Sequence, residues 1–261
     1  MAPTARSVIP LAKAREVLAE LQIEEPLEID PEAIAFSKGA NVQEEPLDGM
    51  DGNIVREGDH AVITVNSKLT YDRQKRFVIA HELGHFFLHP QARQFDAVDA
   101  AQTTNFSETQ STEEYEANLF AAELLMPKFL FAPRLKGVEP SFDFIEELAD
   151  DFQTTLTSTA VQFVLNTQEE CFLISSSKRR RQWFISSPTR SFLLLNDTLI
   201  HGHSCAAEVN AVKKNSRDSK IEARFWLDGF QHDHKAYLTE DSRFFPKLDR
   251  TLTLLWIHEE I

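Results

Sequence analysis

The chain has 261 residues, 42% of them hydrophobic, and sets 27 Lys and Arg against 41 Asp and Glu for a net charge of -14. That length builds one large domain or two modest ones. No run approaches 18 apolar residues, which argues against a membrane-spanning helix, and the two cysteines, Cys171 and Cys205, form neither a disulfide framework nor a CxxC metal site. The N-terminal residues show no apolar secretory core, so a cytoplasmic protein with reduced thiols is expected.

The charge is uneven. Residues 166–261 hold 14 basic and 13 acidic side chains, whereas 1–165 hold 13 and 28. Such asymmetry marks separate folding units with different surfaces. It also argues against nucleic acid as a direct partner of the first unit, because phosphate binding needs Lys and Arg.

In chain order, Leu11, Ala14, Leu18 and Leu21 recur at helical spacing, and Pro26 and Pro31 end that pattern. Residues 37–60, rich in Gly, Asp and Asn, read as loops with at most a short strand at Ile54 and Val55. The β-branched run 61–66 has strand length. Residues 71–88 form a helix that is apolar nearly all round, and a helix of that kind is buried. A second helix starts near Ser111 and stops before Pro127. Two more helical stretches occupy 141–152 and 156–165, and from about residue 166 the chain becomes strand-like, in CFLISSS, QWFISS, SFLLLNDTLI, ARFWLDGF and LTLLWIH.

The buried helix carries His81-Glu-Leu-Gly-His85, an HExxH pattern. Residues four apart share a helix face, so His81 and His85 can reach one Zn²⁺ while Glu82, beside them, acts on a metal-bound water as general base. A catalytic site needs a third protein ligand. His89 continues straight along the helix and is expected to cap or pack its end. On the second helix Glu114 and Asn118 share a face, with small Ala117 and Ala121 allowing close approach. Glu114 can complete the site and Asn118 orient a ligand. Glu113 and Glu116 are alternative ligands, and Ser111-Thr-Glu-Glu114 also fits a capping box.

The blocks RQKRFVIAHELGHFFLH and EYEANLFAAELLMP resemble the ImmA/IrrE family of zinc metallopeptidases, over about residues 50–165. The resemblance implies an α+β fold with a zincin-like core at 1–135, a helix-turn-helix-like segment at 136–166, and a strand-rich C-terminal domain at 167–261, GAF-like in position and strand content and sensory in role. It implies Zn²⁺ as cofactor, held by His81, His85 and Glu114, with Asn118 supporting and Glu82 catalytic. It further implies that an XRE-type helix-turn-helix repressor is the protein substrate, cut at one site to release stress-response or mobile-element genes. A zinc-containing regulator that only binds its partner is the alternative.

The segment 141–165 carries Asp143, Glu146, Glu147, Asp150 and Asp151 with no Lys or Arg, the wrong sign for reading DNA. It is expected to pack, or to attract a basic repressor by steering. In similar proteases an edge strand before the metal helix holds the substrate backbone, which makes Val62 and Thr64 the substrate-binding candidates; an ordinary internal strand is the other reading. Lys178, Arg179, Arg180 and Arg181 read as a solvated turn, the pairs His201/His203 and His232/His234 as polar turns, and Trp183, Trp226 and Trp256 as core.

Overall fold

A computed structural model describes residues 5–57, 60–89, 112–212, 215–230 and 235–257. Ser111 of the capping box and the His232/His234 pair lie outside them. The fold is α+β with two separate sheets. The chain divides into two compact units, one made of Met1–Phe131 with Ala149–Ser158, the other of Ala132–Leu148 with Thr159–Ile261.

The first unit opens with helix α1 (Ala5–Glu20) and helix α2 (Pro31–Ser37). Asp30 starts α2 by accepting hydrogen bonds from the Glu32 and Ala33 amides, and Pro31 sits in the first turn, where its missing N–H costs nothing. Strands β1 (Ala40–Glu45), β2 (Gly52–Glu57) and β3 (His60–Asn66) follow. They form a sheet of order β1-β3-β2, with β1 parallel and β2 antiparallel to β3. β1 was hidden in the sequence because ANVQEE lies at the sheet margin and is polar, buried only at Ala40 and partly at Val42.

Helix α3 (Asp72–Leu88) packs against α4 (Thr112–Leu125), which also meets α1; short α5 (Lys128–Phe131) follows Pro127. Ala14, Val17, Leu18, Ile34, Ile63, Val65, Ile79, Leu83, Phe120 and Leu124 form one apolar core between the sheet and these helices.

Helix α6 (Phe142–Asp151) and helix α7 (Leu156–Asn166) precede the second sheet. That sheet contains β4 (Cys171–Ser177), β5 (Arg180–Ser186), β6 (Ser216–Glu222), β7 (Tyr237–Phe245) and β8 (Arg250–Trp256), in the order β5-β4-β8-β7-β6, every neighbour antiparallel. Lys178 and Arg179 make the β4–β5 turn with positive φ of 48° and 60°. Residues 191–200 do not form the expected strand and make only isolated bridges, and Ala223–Phe225 is a 3-10 turn. Helix α8 (Cys205–Val212) covers one sheet face, where Phe172, Ile174, Ile221, Leu238, Leu255 and Trp226 are buried. Trp256 is also buried, while Trp183 on edge strand β5 is half-buried.

The acidic segment is largely internally neutralised. Asp143 pairs with Arg217 and Arg243, and Glu146 with Arg243, all within the second unit. Asp150 pairs with Arg73 in the first unit. Three of the five acids offered as a docking surface therefore already have basic partners, which weakens the steering argument.

Buried Glu240 closes the second unit's core. Its carboxylate accepts from the Ser204 hydroxyl (2.8 Å), the Ala206 and Cys205 amides (2.6 and 3.1 Å) and the Trp226 indole N–H (3.3 Å). Two of these are amides at the start of α8, where a negative charge also suits the helix dipole; the Ala206 amide is shared with the Ser204 hydroxyl at 3.0 Å. Glu240→Ala removes the acceptor of the Ser204 hydroxyl, the Cys205 amide and the Trp226 indole, and one of the two acceptors of the Ala206 amide; each buried donor left unpaired costs about 1–3 kcal/mol, tempered by water entry. Urea unfolding is expected to show a loss of roughly 3 kcal/mol or more; a change under about 0.5 kcal/mol, the scale of an ordinary surface substitution, would refute this role.

Candidate metal centre

The site is built where α3 and α4 come closest. A Cβ placed on Gly84 would lie 2.8 Å from the Ala117 Cα and 3.0 Å from its carbonyl oxygen, so only glycine fits. Glycine costs a helix interior about 1 kcal/mol relative to Ala, and that cost is offset by the approach it permits. His81 and His85 flank Gly84 on α3, and Glu114 lies one turn before Ala117 on α4. The backbones must be this near for a short carboxylate arm to meet two imidazoles.

The His81 and His85 Nε2 atoms are 3.0 Å apart. Glu114 Oε2 lies 3.2 Å from the His81 Nε2, and its Oε1 lies 3.3 Å from the His85 Nε2. A tetrahedral zinc with arms of about 2.05 Å has edges of about 3.3 Å between its ligand atoms. The His–His separation and the two His–carboxylate contacts, made through different Glu114 oxygens, are of that size, and these residues form a group able to hold a metal ion. Both histidines are buried.

Asn118 fixes one imidazole. Its Oδ1 lies 3.0 Å from the His81 Nδ1, so that nitrogen donates and the Nε2 is left to face the site. The Nδ1 of His85 lies 3.1 Å from the Nδ1 of His89, whose Nε2 lies 3.0 Å from Glu116 Oε2. His89 thus does more than end the helix, and Glu116, considered as an alternative ligand, meets His89 instead. Glu113 is exposed on α4. The signal for His89 was its i+4 spacing from His85; the sequence did not show that the ring turns back from the helix end.

Glu82 is buried, and its Oε2 has no hydrogen-bond partner among the described residues. Burial pushes its pKa up to about 7, with Glu114 adding to the shift and His81 opposing it. Burial depresses His85 to about 4. For Glu114 burial acts upward, yet hydrogen bonding to both imidazoles prevails and holds it at about 2. His81 is raised: burial opposes its charge, but Glu114 and Glu82 together outweigh that. The field of the site therefore favours a positive charge beside Glu114, which a divalent cation would supply in place of a proton.

Gly52, the first residue of β2, lies against Glu82: a Cβ there would sit 2.4 Å from Val78 Cγ1 and 3.3 Å from Glu82 Oε1. The loop feeding β2 is held by Asn66, whose Nδ2 donates to the Leu47 and Met50 carbonyls (3.0 and 2.6 Å) and whose Oδ1 accepts from the Leu47 and Lys68 amides.

The structure corrects the expectation for Val62 and Thr64. Their strand, β3, is central and already hydrogen-bonded on both sides, to β1 and β2. It has no free edge to receive a substrate strand. Thr64 is buried and its hydroxyl accepts from Gln43 Nε2 at 3.2 Å, while Val62 is part of an exposed pair with Val55. Among the described residues the free edges belong to β1 and β2, and β2 is the one that begins beside Glu82.

Residues 36–163 match the peptidase family model described as the IrrE N-terminal-like domain. The chain is similar to metallopeptidase ImmA of Bacillus subtilis (strain 168), 37% identical over 68 residues, which is 26% of this chain and 36% of that protein. It is also similar to uncharacterized immunity region protein 2 of Bacillus phage phi105, 39% identical over 83 residues, 32% of this chain and 48% of that protein. The matches thus span between about a third and a half of these relatives. A Mycobacterium tuberculosis transcriptional regulator shares the fold, with a TM-score of 0.62 at 14% identity over 95% of this chain and 76% of its own.

Gly84→Val tests the helix approach. Overpacking costs about 1–3 kcal/mol, and a β-branched residue recovers little of glycine's helix penalty. Melting and metal-binding measurements are expected to show a destabilised protein with weakened metal affinity. Unchanged melting and affinity would contradict the Gly84–Ala117 constraint.

Proposed function

Because the chain belongs to the ImmA/IrrE family through residues 36–163, we propose that it is a zinc-dependent endopeptidase with a zincin-like core, acting in the cytoplasm. The observation that carries this reading is the convergence of His81, His85 and Glu114 beside a buried carboxylate, Glu82, whose Oε2 has no partner among the described residues. His81, His85 and Glu114 would hold the ion. Zinc, when bound, polarises the scissile carbonyl and acidifies the attacking water.

The protein's own groups do the rest. Glu82 accepts the water proton on its Oε2 and later delivers it to the leaving amine. Asn118 keeps the His81 Nε2 turned to the site by accepting from its Nδ1–H. The free edge of β2, in place of Val62 and Thr64 on β3, is the surface on which an extended substrate segment would add as a further strand. Gly52 keeps that strand close to Glu82.

The substrate proposed is an XRE-type helix-turn-helix repressor, cut once to release stress-response or mobile-element genes. The similarity to a phage immunity region protein supports that choice. The C-terminal sheet is assigned a GAF-like sensory role on its position and antiparallel strand content. The second reading, a zinc-containing regulator that binds without cutting, is disfavoured by Glu82, since a binder has no use for a general base.

The test incubates zinc-loaded protein with helix-turn-helix repressors encoded near it. One discrete, chelator-sensitive cut is expected, slowed at least about a hundredfold by Glu82→Gln, the scale of general-base catalysis. Stable binding without cleavage, equal in wild type and variant, would establish the regulator instead.

A further inference from the structure

We propose that His89 and Glu116 are positioning residues that orient and charge-polarise His85; the inference rests on the metal-centre reading above. Glu116 on α4, His89 at the end of α3 and His85 form a line of two contacts, 3.0 and 3.1 Å long. The His89 side chain is 8% exposed and Glu116 24%, so the line is largely shielded from water.

With both imidazoles neutral, one proton order satisfies both contacts with a carboxylate at the end. Glu116 Oε2 only accepts, so the His89 Nε2 carries a hydrogen and donates it. The His89 Nδ1 is then a bare acceptor and takes the hydrogen of the His85 Nδ1. The His85 Nε2 is left with its lone pair facing His81 and Glu114. The reverse order would place a hydrogen on the His85 Nε2 and remove it as a ligand.

The backbone makes this possible. His89 leaves the helix with φ -125° and ψ 59°, while its amide still donates to the His85 carbonyl at 3.0 Å, which keeps the two rings 5.2 Å apart. The two imidazoles are supported unequally. His81 leans on the neutral Asn118 amide, whereas His85 leans, through a second imidazole, on a carboxylate, which makes it the stronger electron donor.

The test compares wild type with His89→Phe, which keeps a ring but cannot accept, and His89→Gln, whose carbonyl can accept from His85 while its amide donates to Glu116. Zinc affinity is read by chelator competition, and melting of the metal-free proteins checks folding. The expected result is a loss of about 10–100-fold in affinity for His89→Phe, with substantial recovery in His89→Gln and similar metal-free melting for all three. The proton spectrum of the zinc-loaded protein supplies a second readout: the downfield imidazole N–H signal of His85 should persist in His89→Gln and disappear in His89→Phe. Equal affinity in wild type and His89→Phe overturns the proposal, as does equal weakening in both variants, which would assign His89 to packing alone. Failure of the wild type to bind zinc would overturn the metal centre itself, an outcome distinct from either.

Discussion

The whole site depends on how near two helix backbones can come. Gly84 meets Ala117 with no room for a single methyl group, and the residues on either side of that contact are the ones that carry chemistry. His81 and His85 stand one turn apart around the glycine, and Glu114 reaches them from the facing helix. Packed interiors resist small displacements because their side chains interlock. The apolar core of the first unit, with Leu83, Phe120, Ala121 and Leu124 buried at this interface, therefore works as the clamp that holds the ligand spacing.

Burying three ligands and a base in such a core is unfavourable unless each is satisfied. The arrangement answers this residue by residue. Asn118 accepts from His81, His89 contacts His85, and the two imidazoles contact Glu114. One Glu82 oxygen lacks a hydrogen-bond partner among the described residues. A buried polar atom without a partner is a cost to stability that persists where function requires it. Its neighbour Gly52 adds no side chain against it, and the Asn66 hydrogen bonds hold the loop that leads into β2.

The convergence of His81 and His85 was legible because helical spacing is a strong local signal, and Glu114 and Asn118 share a face for the same reason; spacing alone left Glu113 and Glu116 open, and the family resemblance selected Glu114. The longer helices were legible for the same reason, whereas short α2 and α8 were not. Sheet neighbours were not. Whether the strand of Val62 and Thr64 is central or marginal depends on its partners β1 and β2, and polar β1 resembles a loop when read alone. Residues 191–200 failed in the other direction: SFLLLNDTLI has strand composition, yet it forms only isolated bridges and packs Phe192 and Leu194 against the second core. The role of His89 likewise depends on the turn of the chain at a helix end, which spacing does not encode.

The central claim is that one ion sits between His81, His85 and Glu114. Anomalous X-ray scattering recorded at the zinc edge from crystals of the zinc-loaded protein tests it most directly. The account predicts one strong peak about 2.0–2.2 Å from the two Nε2 atoms and a Glu114 oxygen. A peak at any other cluster, or none at this one, would contradict it.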